Sequence, residues 1–157
     1  MTIELVLARH AKSDWGDPGL RDHDRPLNER GLRDAPRMAA RLAETGFRPD
    51  ALLSSTALRA RTTAEAFAAA LETAVTLVPD LYGAPPSTLL ATASTSGALR
   101  VMLVAHNPGM AELADTLSGG RIGEMPTCAV ARFRWDDDDW AVVGAVDPNE
   151  WHIDTPR

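Results

Sequence analysis

Cysteine and lysine are nearly absent from this chain. Cys128 is the only cysteine among 157 residues, which excludes an intrachain disulfide and leaves a cysteine-based zinc site without ligands. Lys12 is the only lysine, because 15 of the 16 basic residues are arginine. No apolar run approaches the roughly 18 residues of a membrane span, and the first residues lack the basic region and cleavage site of a signal peptide. These absences predict a cytoplasmic protein with Cys128 as a buried free thiol.

The charge balance is acidic, with a formal net charge of -6. Such a chain is not drawn to DNA, RNA or anionic membranes, so neither a nucleic acid nor a membrane is predicted as a partner. Hydrophobic residues make up 45% and charged residues 24% of the 157 positions. This composition predicts one domain over residues 1–157 that buries its core without a metal or a disulfide. A monomer is the favoured oligomeric state.

Short apolar segments alternate with helical patterns along most of the chain. The predicted strands are Ile3–Ala8, Ala51–Leu53, Val75–Val78 and Arg100–Ala105, and the predicted helices are Asn28–Gly46, Ala57–Leu71, Pro85–Ala93 and Pro108–Leu117. This order predicts an α/β fold, a three-layer αβα sandwich with a mostly parallel central sheet. The alternating segments 129–135 and 140–146 flank four aspartates and predict a C-terminal antiparallel hairpin at the sheet edge.

Several local signals refine this outline. Asn28 is predicted to cap the first helix and Ser87 to cap the third. Pro36 predicts that the first helix is bent or divided into two pieces, and Leu32 is expected on its buried face. Residues 9–28 have no periodicity and predict a long loop, which is uncommon in a compact domain and more often functional than not.

Polar pairs follow three of the predicted strands directly. Arg9 and His10 follow the first, a segment that leads to Arg59 follows the second, and His106 follows the fourth. The carboxyl ends of parallel strands share one edge of a sheet, so these side chains are expected to converge. Two imidazoles and two guanidiniums without a carboxylate form an anion site, and phosphate is its natural ligand. An isolated histidine is more often structural, so the prediction depends on the conjunction of all four.

Four segments, in this order, resemble the motifs of one family. They are residues 5–13 (LVLARHAKS), 24–31 (DRPLNERG), 55–65 (STALRARTTAE) and 104–109 (VAHNPG). Over about residues 3–115 the chain is similar to the histidine phosphatase superfamily, in its phosphoglycerate-mutase-like branch. Its RHAKSDW and HNPG motifs resemble those of the SixA-like phosphohistidine phosphatases.

The resemblance implies a metal-independent, cofactor-free phosphatase. His10 would be the nucleophile and would form a phosphohistidine intermediate, while Arg9, Arg59 and His106 would bind the phosphoryl oxygens. The second ring nitrogen of His10 should donate to a backbone carbonyl that fixes the tautomer. A neutral nucleophile beside a donating histidine predicts an activity maximum near neutral pH.

The other candidate site residues each have a structural interpretation beside the functional one. Ser13 is a candidate phosphate contact or a loop turn, and Asn107 a phosphate donor or a helix cap. Arg21 and Arg25 either line the entrance or pair with the aspartates beside them. Asp80 is the candidate general acid, because it is the only carboxylate in the segment where relatives carry one, or else it is a solvated loop residue.

Two departures from the family pattern bear on the substrate. The usual glycine after the nucleophile is Ala11, and Gly16 stands where mutase-like relatives tend to have an asparagine. A missing acid fits a phosphoramidate, whose nitrogen leaves more easily. The leading hypothesis is therefore dephosphorylation of phosphohistidine in a protein. The alternatives are a phosphomonoesterase for small metabolites of the sugar phosphate or phosphoglycerate type, and a noncatalytic phosphate-binding module, against which the retention of all four core residues argues.

Overall fold

The computed structural model describes residues 1–157 as one sheet of six strands with four helices. In chain order the elements are β1 (Ile3–Arg9), α1 (Glu29–Glu44), β2 (Ala51–Ser54), α2 (Leu58–Leu71), β3 (Val75–Leu77), α3 (Pro86–Ser94), β4 (Arg100–Ala105), α4 (Gly109–Leu117), β5 (Val130–Trp135) and β6 (Glu150–Asp154). Short 3₁₀ helices cover Asp22–Asp24, Pro79–Leu81 and Trp140–Val142. None of the helices combines the length and apolarity needed to cross a lipid bilayer.

The strand order is β3-β2-β4-β1-β5-β6. The first four of these strands pair in parallel, whereas β5 pairs antiparallel with β1, and β6 antiparallel with β5. The predicted fold class, a mostly parallel sheet with an antiparallel pair at one edge, is confirmed. The carboxyl ends of β1, β2 and β4 therefore lie together at one edge of the sheet.

Each face of the sheet carries its own apolar core. In β1, Ile3, Leu5 and Leu7 point into a core that includes side chains of α3 and α4. The alternate residues Val6 and Ala8 point into a second core with α1 and α2. Because successive side chains of a strand face opposite sides, burial on both sides explains why β1 reads as a continuous apolar run.

Two helix starts test the capping predictions. The Asn28 side chain accepts a hydrogen bond from the backbone N–H of Gly31 at 2.9 Å, so the predicted cap of α1 is confirmed. The prediction for α3 is wrong, because Pro85 occupies its N-cap position and Ser87 lies within the helix. A proline preorganises the first turn through its fixed φ and needs no side-chain cap.

Helix α1 runs unbroken through Pro36, so the predicted division into two pieces is wrong. Pro36 is on the solvent side of α1, and Leu32, one turn earlier, is 56% exposed. The backbone carbonyl that proline leaves without an intrahelical partner thus belongs to a face open to water, where its cost is small. Leu32 was expected in the core, but the buried face includes Ala35, Met38 and Ala39 instead.

The second strand of the C-terminal pair is β6, not the predicted segment 140–146. The Trp140 indole N–H donates to the carbonyl of Ala98 at 2.9 Å, and Val143 is buried in the core beside α3 and α4. The Asp139 side chain caps the turn by accepting from Ala141 N–H at 2.9 Å. The alternation in this segment therefore reflects a packed turn rather than a strand.

Candidate active site

A polar cavity of about 200 Å³ opens at the carboxyl edge of the parallel strands. It is lined by Arg9, His10, Lys12, Ser13, Trp15, Arg25, Arg59, His106, Asn107 and Thr127. The four core residues predicted from the strand ends are all among them, as are the candidates Ser13 and Asn107. No carboxylate is among the lining side chains.

The sheet register sets the two histidines side by side. Arg9, the last residue of β1, is paired with Ala105, the last residue of β4. The backbone N–H of His10 then donates to the Ala105 carbonyl at 3.1 Å. His10 and His106 follow their strands immediately, and their ring centroids are 5.1 Å apart.

His10 is held as a neutral imidazole with one free nitrogen. Its Nδ1 lies 2.7 Å from the Ala11 carbonyl oxygen, and because a carbonyl can only accept, Nδ1 carries the proton. Burial lowers the pKa of His10 to about 3, and the nearby charges of His106, Arg59 and Arg9 act in the same direction. The predicted backbone hydrogen bond is confirmed, and Nε2 keeps a lone pair that can act as a nucleophile.

Three buried nitrogens around this cavity have no hydrogen-bond partner in the protein. They are Nε of Arg9, Nε of Arg59 and Nδ1 of His106. Arg9 is fixed by donating from Nη1 to the Met125 carbonyl at 3.1 Å, and burial lowers its pKa, with the charge of Arg59 as the second cause. Buried polar groups are costly when unpaired, so this cluster is suited to an anion with several oxygen atoms.

Asn107 performs the helix-capping role that was one of its two alternatives. Its Oδ1 accepts from the backbone N–H of Ala111 at 3.2 Å, and its Nδ2 donates to the Met125 carbonyl at 2.9 Å. A side chain on Gly109, the first residue of α4, would put a Cβ 2.1 Å from the Ala84 carbonyl oxygen. Glycine therefore permits the close approach that fixes α4 behind His106.

Ser13, Trp15 and Arg25 form one wall of the cavity. Nη1 of Arg25 donates to the Ser13 hydroxyl oxygen at 2.7 Å. The Arg25 guanidinium lies 3.4 Å from the centroid of the Trp15 ring, a cation–π contact, while Trp15 is 70% exposed. Because the Ser13 oxygen already accepts from Arg25, its own proton is free to be donated into the cavity.

Asp22 and Tyr82 are two neighbours of the site that the sequence reasoning did not assign to it. The Asp22 carboxylate accepts hydrogen bonds from Tyr82 Oη at 2.6 Å, Arg59 Nη2 at 2.9 Å and Arg25 Nε at 3.1 Å. Led by the Tyr82 contact, these donors hold the pKa of Asp22 well below its usual range, and the same contact raises the pKa of Tyr82. The alternating charges of residues 21–25 (RDHDR) signalled a partner for Asp22, whereas nothing in the sequence singled out Tyr82.

Arg21, Asp80 and Glu112 do not join the site. Arg21 is exposed and does not line the cavity. Asp80 is exposed in the 3₁₀ helix Pro79–Leu81 and is likewise absent from the lining. Glu112 lies one helical turn past Pro108, a spacing from which it could orient His106, but it is exposed on α4 and makes no hydrogen bond to His106. No group of three or more histidine, cysteine or carboxylate side chains is arranged to hold a metal ion.

Residues 5–82 match the family model of the histidine phosphatase superfamily, branch 1. An uncharacterized chloroplastic protein of Arabidopsis thaliana is 33% identical over 164 residues, an alignment that covers 96% of this chain and 75% of that protein.

Solved structures repeat this similarity. The putative phosphohistidine phosphatase SixA from Agrobacterium tumefaciens superposes with a TM-score of 0.79 at 35% identity, covering 85% of this chain and 92% of that one. A mycobacterial glucosyl-3-phosphoglycerate phosphatase superposes with a TM-score of 0.63 at 18% identity, covering 99% of this chain and 98% of that one. At that level of identity the second likeness shows the fold alone.

Proposed function

Because the chain belongs to the histidine phosphatase superfamily and is a phosphatase, we propose that its substrate is phosphohistidine in a protein. The observation that carries this proposal is the lining of the cavity, which joins two imidazoles and three guanidiniums to no carboxylic acid. Such a site binds a phosphoryl group and supplies a nucleophile, but it holds no carboxyl group to protonate an alkoxide. The similarity to a putative phosphohistidine phosphatase points in the same direction.

In the proposed first step, Nε2 of His10 attacks phosphorus in line and forms a new P–N bond. The P–N bond of the substrate breaks, and its electron pair returns to the leaving imidazole. The other ring nitrogen of the substrate can take a proton from solvent beforehand, so the substrate imidazole departs neutral without an acid from the protein. Arg9, Arg59 and His106 stabilise the charge on the transferring phosphoryl oxygens.

In the second step, water attacks the phosphorus of phosphorylated His10. The P–N bond breaks and its electron pair returns to Nε2, so the imidazole of His10 is neutral again. Both protons of the water leave with the inorganic phosphate, which exchanges them with solvent. The Nδ1 contact with the Ala11 carbonyl, at 2.7 Å, holds the ring in one orientation through both steps.

The ionised state of the carboxylate nearest to the site favours a substrate whose leaving group is a nitrogen atom. Asp22 is ionised, since Tyr82, Arg59 and Arg25 donate to it and its pKa is lowered. An ionised carboxylate has no proton to give, and Asp80 is outside the cavity. A phosphomonoester of an ordinary alcohol would find no carboxylic acid here to protonate its alkoxide leaving group.

The test compares kcat/KM for a phosphohistidine-bearing phosphotransfer protein with kcat/KM for a panel of sugar phosphates and phosphoglycerates. We expect a preference of at least about tenfold for the phosphoprotein. The His10→Ala variant should be inactive, and His152→Ala, which alters a histidine with a 60% exposed side chain, serves as the matched control. Preference for the panel would establish the small-molecule alternative. Binding of phosphate by the wild type without turnover of any substrate would establish a noncatalytic module.

The remaining predictions concern architecture, location and assembly. A sheet that takes strands from residue 3 to residue 154 supports a single domain over residues 1–157. A cytoplasmic location is supported by the free thiol of Cys128, which is buried. The net charge of -6 supports a protein that does not bind nucleic acid. A monomer stays the favoured prediction for the oligomeric state.

A further inference from the structure

Ser55 connects the ends of β2 and β4 inside the protein. Its hydroxyl oxygen lies 2.7 Å from Nε2 of His106. Ser55 is fully buried, and His106 is 7% exposed. This contact fixes the plane of the His106 ring at the cavity, and it constrains which ring nitrogen carries the proton.

The direction of this hydrogen bond follows from the other contacts of Ser55. The Ser55 oxygen accepts from the backbone N–H of Ala57 at 3.2 Å, so one lone pair is occupied. The only other polar atom bonded to the Ser55 hydroxyl is Nε2 of His106. The neighbouring Ser54 donates to the Ser55 carbonyl at 2.9 Å and leaves the Ser55 hydroxyl untouched. Since no other acceptor contacts the Ser55 hydroxyl, its buried proton is hydrogen-bonded only when it points at Nε2 of His106.

The charge and the hydrogen bond of His106 determine which of its ring nitrogens is protonated. Burial lowers the pKa of His106 to about 4, with the charge of Arg59 as the second cause, so the ring is neutral near pH 7 and carries one proton. When Nε2 accepts from Ser55, this proton resides on Nδ1. Nδ1 is the buried ring nitrogen that has no partner in the protein.

We propose that Ser55 is a positioning residue that holds His106 in the Nδ1–H tautomer, so that the uncharged imidazole donates a hydrogen bond to the phosphoryl group. This inference rests on the proposed phosphoryl site. Both histidines then have the same tautomer but opposite uses. His10 donates its Nδ1 proton to Ala11 and offers the lone pair of Nε2, whereas His106 accepts at Nε2 and offers the proton of Nδ1.

The direct test is a long-range ¹H–¹⁵N correlation spectrum of the ligand-free protein, which reports which ring nitrogen of each histidine carries the proton. The wild type should show His106 protonated on Nδ1. In Ser55→Ala, the Nε2–H tautomer of His106 should become populated, since nothing donates to Nε2 there. The signal of His10 is the internal control, because its partner is the backbone of Ala11. A wild-type His106 protonated on Nε2 overturns the proposal, and this measurement needs no variant to fold.

The functional test measures binding of inorganic phosphate and kcat/KM in matched serine variants. Ser55→Ala should weaken phosphate binding about tenfold, the usual cost of losing one hydrogen bond to a charged group. Ser55→Thr keeps a hydroxyl and should restore most of the affinity. Ser54→Ala removes the adjacent buried hydroxyl, which does not contact His106, and should leave phosphate affinity unchanged. Equal losses in Ser54→Ala and Ser55→Ala would show a packing effect and overturn the proposal.

These readouts separate the two proposals. The tautomer and the affinity for inorganic phosphate do not depend on which phosphorylated substrate the protein hydrolyses. A protein that prefers small phosphomonoesters would contradict the proposed substrate while leaving the role of Ser55 intact. A Ser55→Ala variant with unchanged phosphate affinity would contradict that role while leaving the substrate assignment intact.

Discussion

Asp22 binds Arg59 through two different groups. Its carboxylate accepts from Nη2 of Arg59 at 2.9 Å, and its backbone carbonyl accepts from Nη1 at 2.6 Å. Both terminal nitrogens of the guanidinium are thus engaged by one residue of the long loop after β1. Each terminal nitrogen carries a second N–H, and Arg59 lines the cavity, so its guanidinium can bind an anion there while Asp22 holds it in place.

Removal of the Asp22 carboxylate should misalign Arg59. For Asp22→Ala we expect kcat/KM to fall about three- to tenfold, because the carboxylate loses its hydrogen bonds from Arg59, Arg25 and Tyr82, which are partly exposed to solvent. Asp22→Asn keeps an oxygen that can accept and should lose less. Asp24→Ala, in the same turn, is the control, since the only ion pair of Asp24 is a 3.7 Å contact with His23. An increase in kcat/KM for Asp22→Ala would show instead that the carboxylate competes with the substrate.

The low pKa values of the two histidines change the expected pH dependence. The pKa of His10 is lowered to about 3 and that of His106 to about 4. Both rings therefore stay neutral when the pH falls well below 6.5, the usual pKa of histidine. The NMR signals of His10 and His106 in the free protein should therefore stay constant from alkaline pH down to about pH 5, and the neutral nucleophile should be lost only on further acidification.

This expectation replaces the maximum near neutral pH that the sequence suggested. Titration of the imidazole protons by NMR, alongside kcat/KM against pH, checks it. A midpoint near 6.5 for either ring in the free protein would contradict the burial argument.

A phosphorylated intermediate should form on His10. Rapid quenching during turnover, followed by mass spectrometry under alkaline conditions, should locate a phosphoryl group on the peptide that contains His10. The group should be absent from His10→Ala and present at wild-type levels in His152→Ala. Phosphorylation of His106 in the wild type would reverse the proposed roles of the two rings.

Gly31 should be intolerant of a side chain although it lies in a helix. A Cβ there would be 2.2 Å from the backbone oxygen of Lys12, which also accepts from Asn28 N–H at 3.0 Å. Alanine normally stabilises a helix by about 1 kcal/mol relative to glycine, but here the clash between backbones should destabilise the fold by about 2 kcal/mol.

Thermal unfolding of Gly31→Ala measures this change. Gly19→Ala is the control, because its Cβ would meet only a carboxylate oxygen of Asp17, at 3.2 Å. A higher Tm for Gly31→Ala than for the wild type would show that α1 can move away from the loop after β1.

The strand ends could be predicted because two independent patterns coincide there. Burial on both faces makes β1 and β4 continuous apolar runs, so each run ends abruptly at the first polar residue. Those residues are Arg9 and His106, and parallel pairing brings them to one edge. The local pattern and the sheet rule together are sufficient to place the core of the site.

The last strand could not be read from alternation alone. In β6 the side chains are exposed or half-buried along its whole length, so no apolar–polar contrast appears. Residues 140–146 do alternate, because Trp140 and Val143 pack against the core from a turn. Periodicity records which side chains are buried, and a packed turn can imitate a strand in that respect.

The carboxylate at the site was also beyond the sequence pattern. The family pattern places an acid in the segment after β3, where Asp80 is the only carboxylate, whereas Asp22 approaches from the loop after β1. The position of Asp22 depends on its hydrogen bonds from Arg59, 37 positions away in the chain, and from Tyr82 Oη, 60 positions away. Such contacts exist only once the helices have packed on the sheet, so local propensity carries no signal for them.

The position of β1 has a consequence for biosynthesis. It precedes the other five strands of the sheet in the chain, yet its two neighbours in the sheet are β4 and β5, which begin at residues 100 and 130. The emerging chain must therefore carry an apolar segment with unpaired edges until β4 and β5 have left the ribosome. Arg9 and His10 follow that segment directly, so the nascent protein cannot assemble its reactive centre before the chain through His106 has emerged.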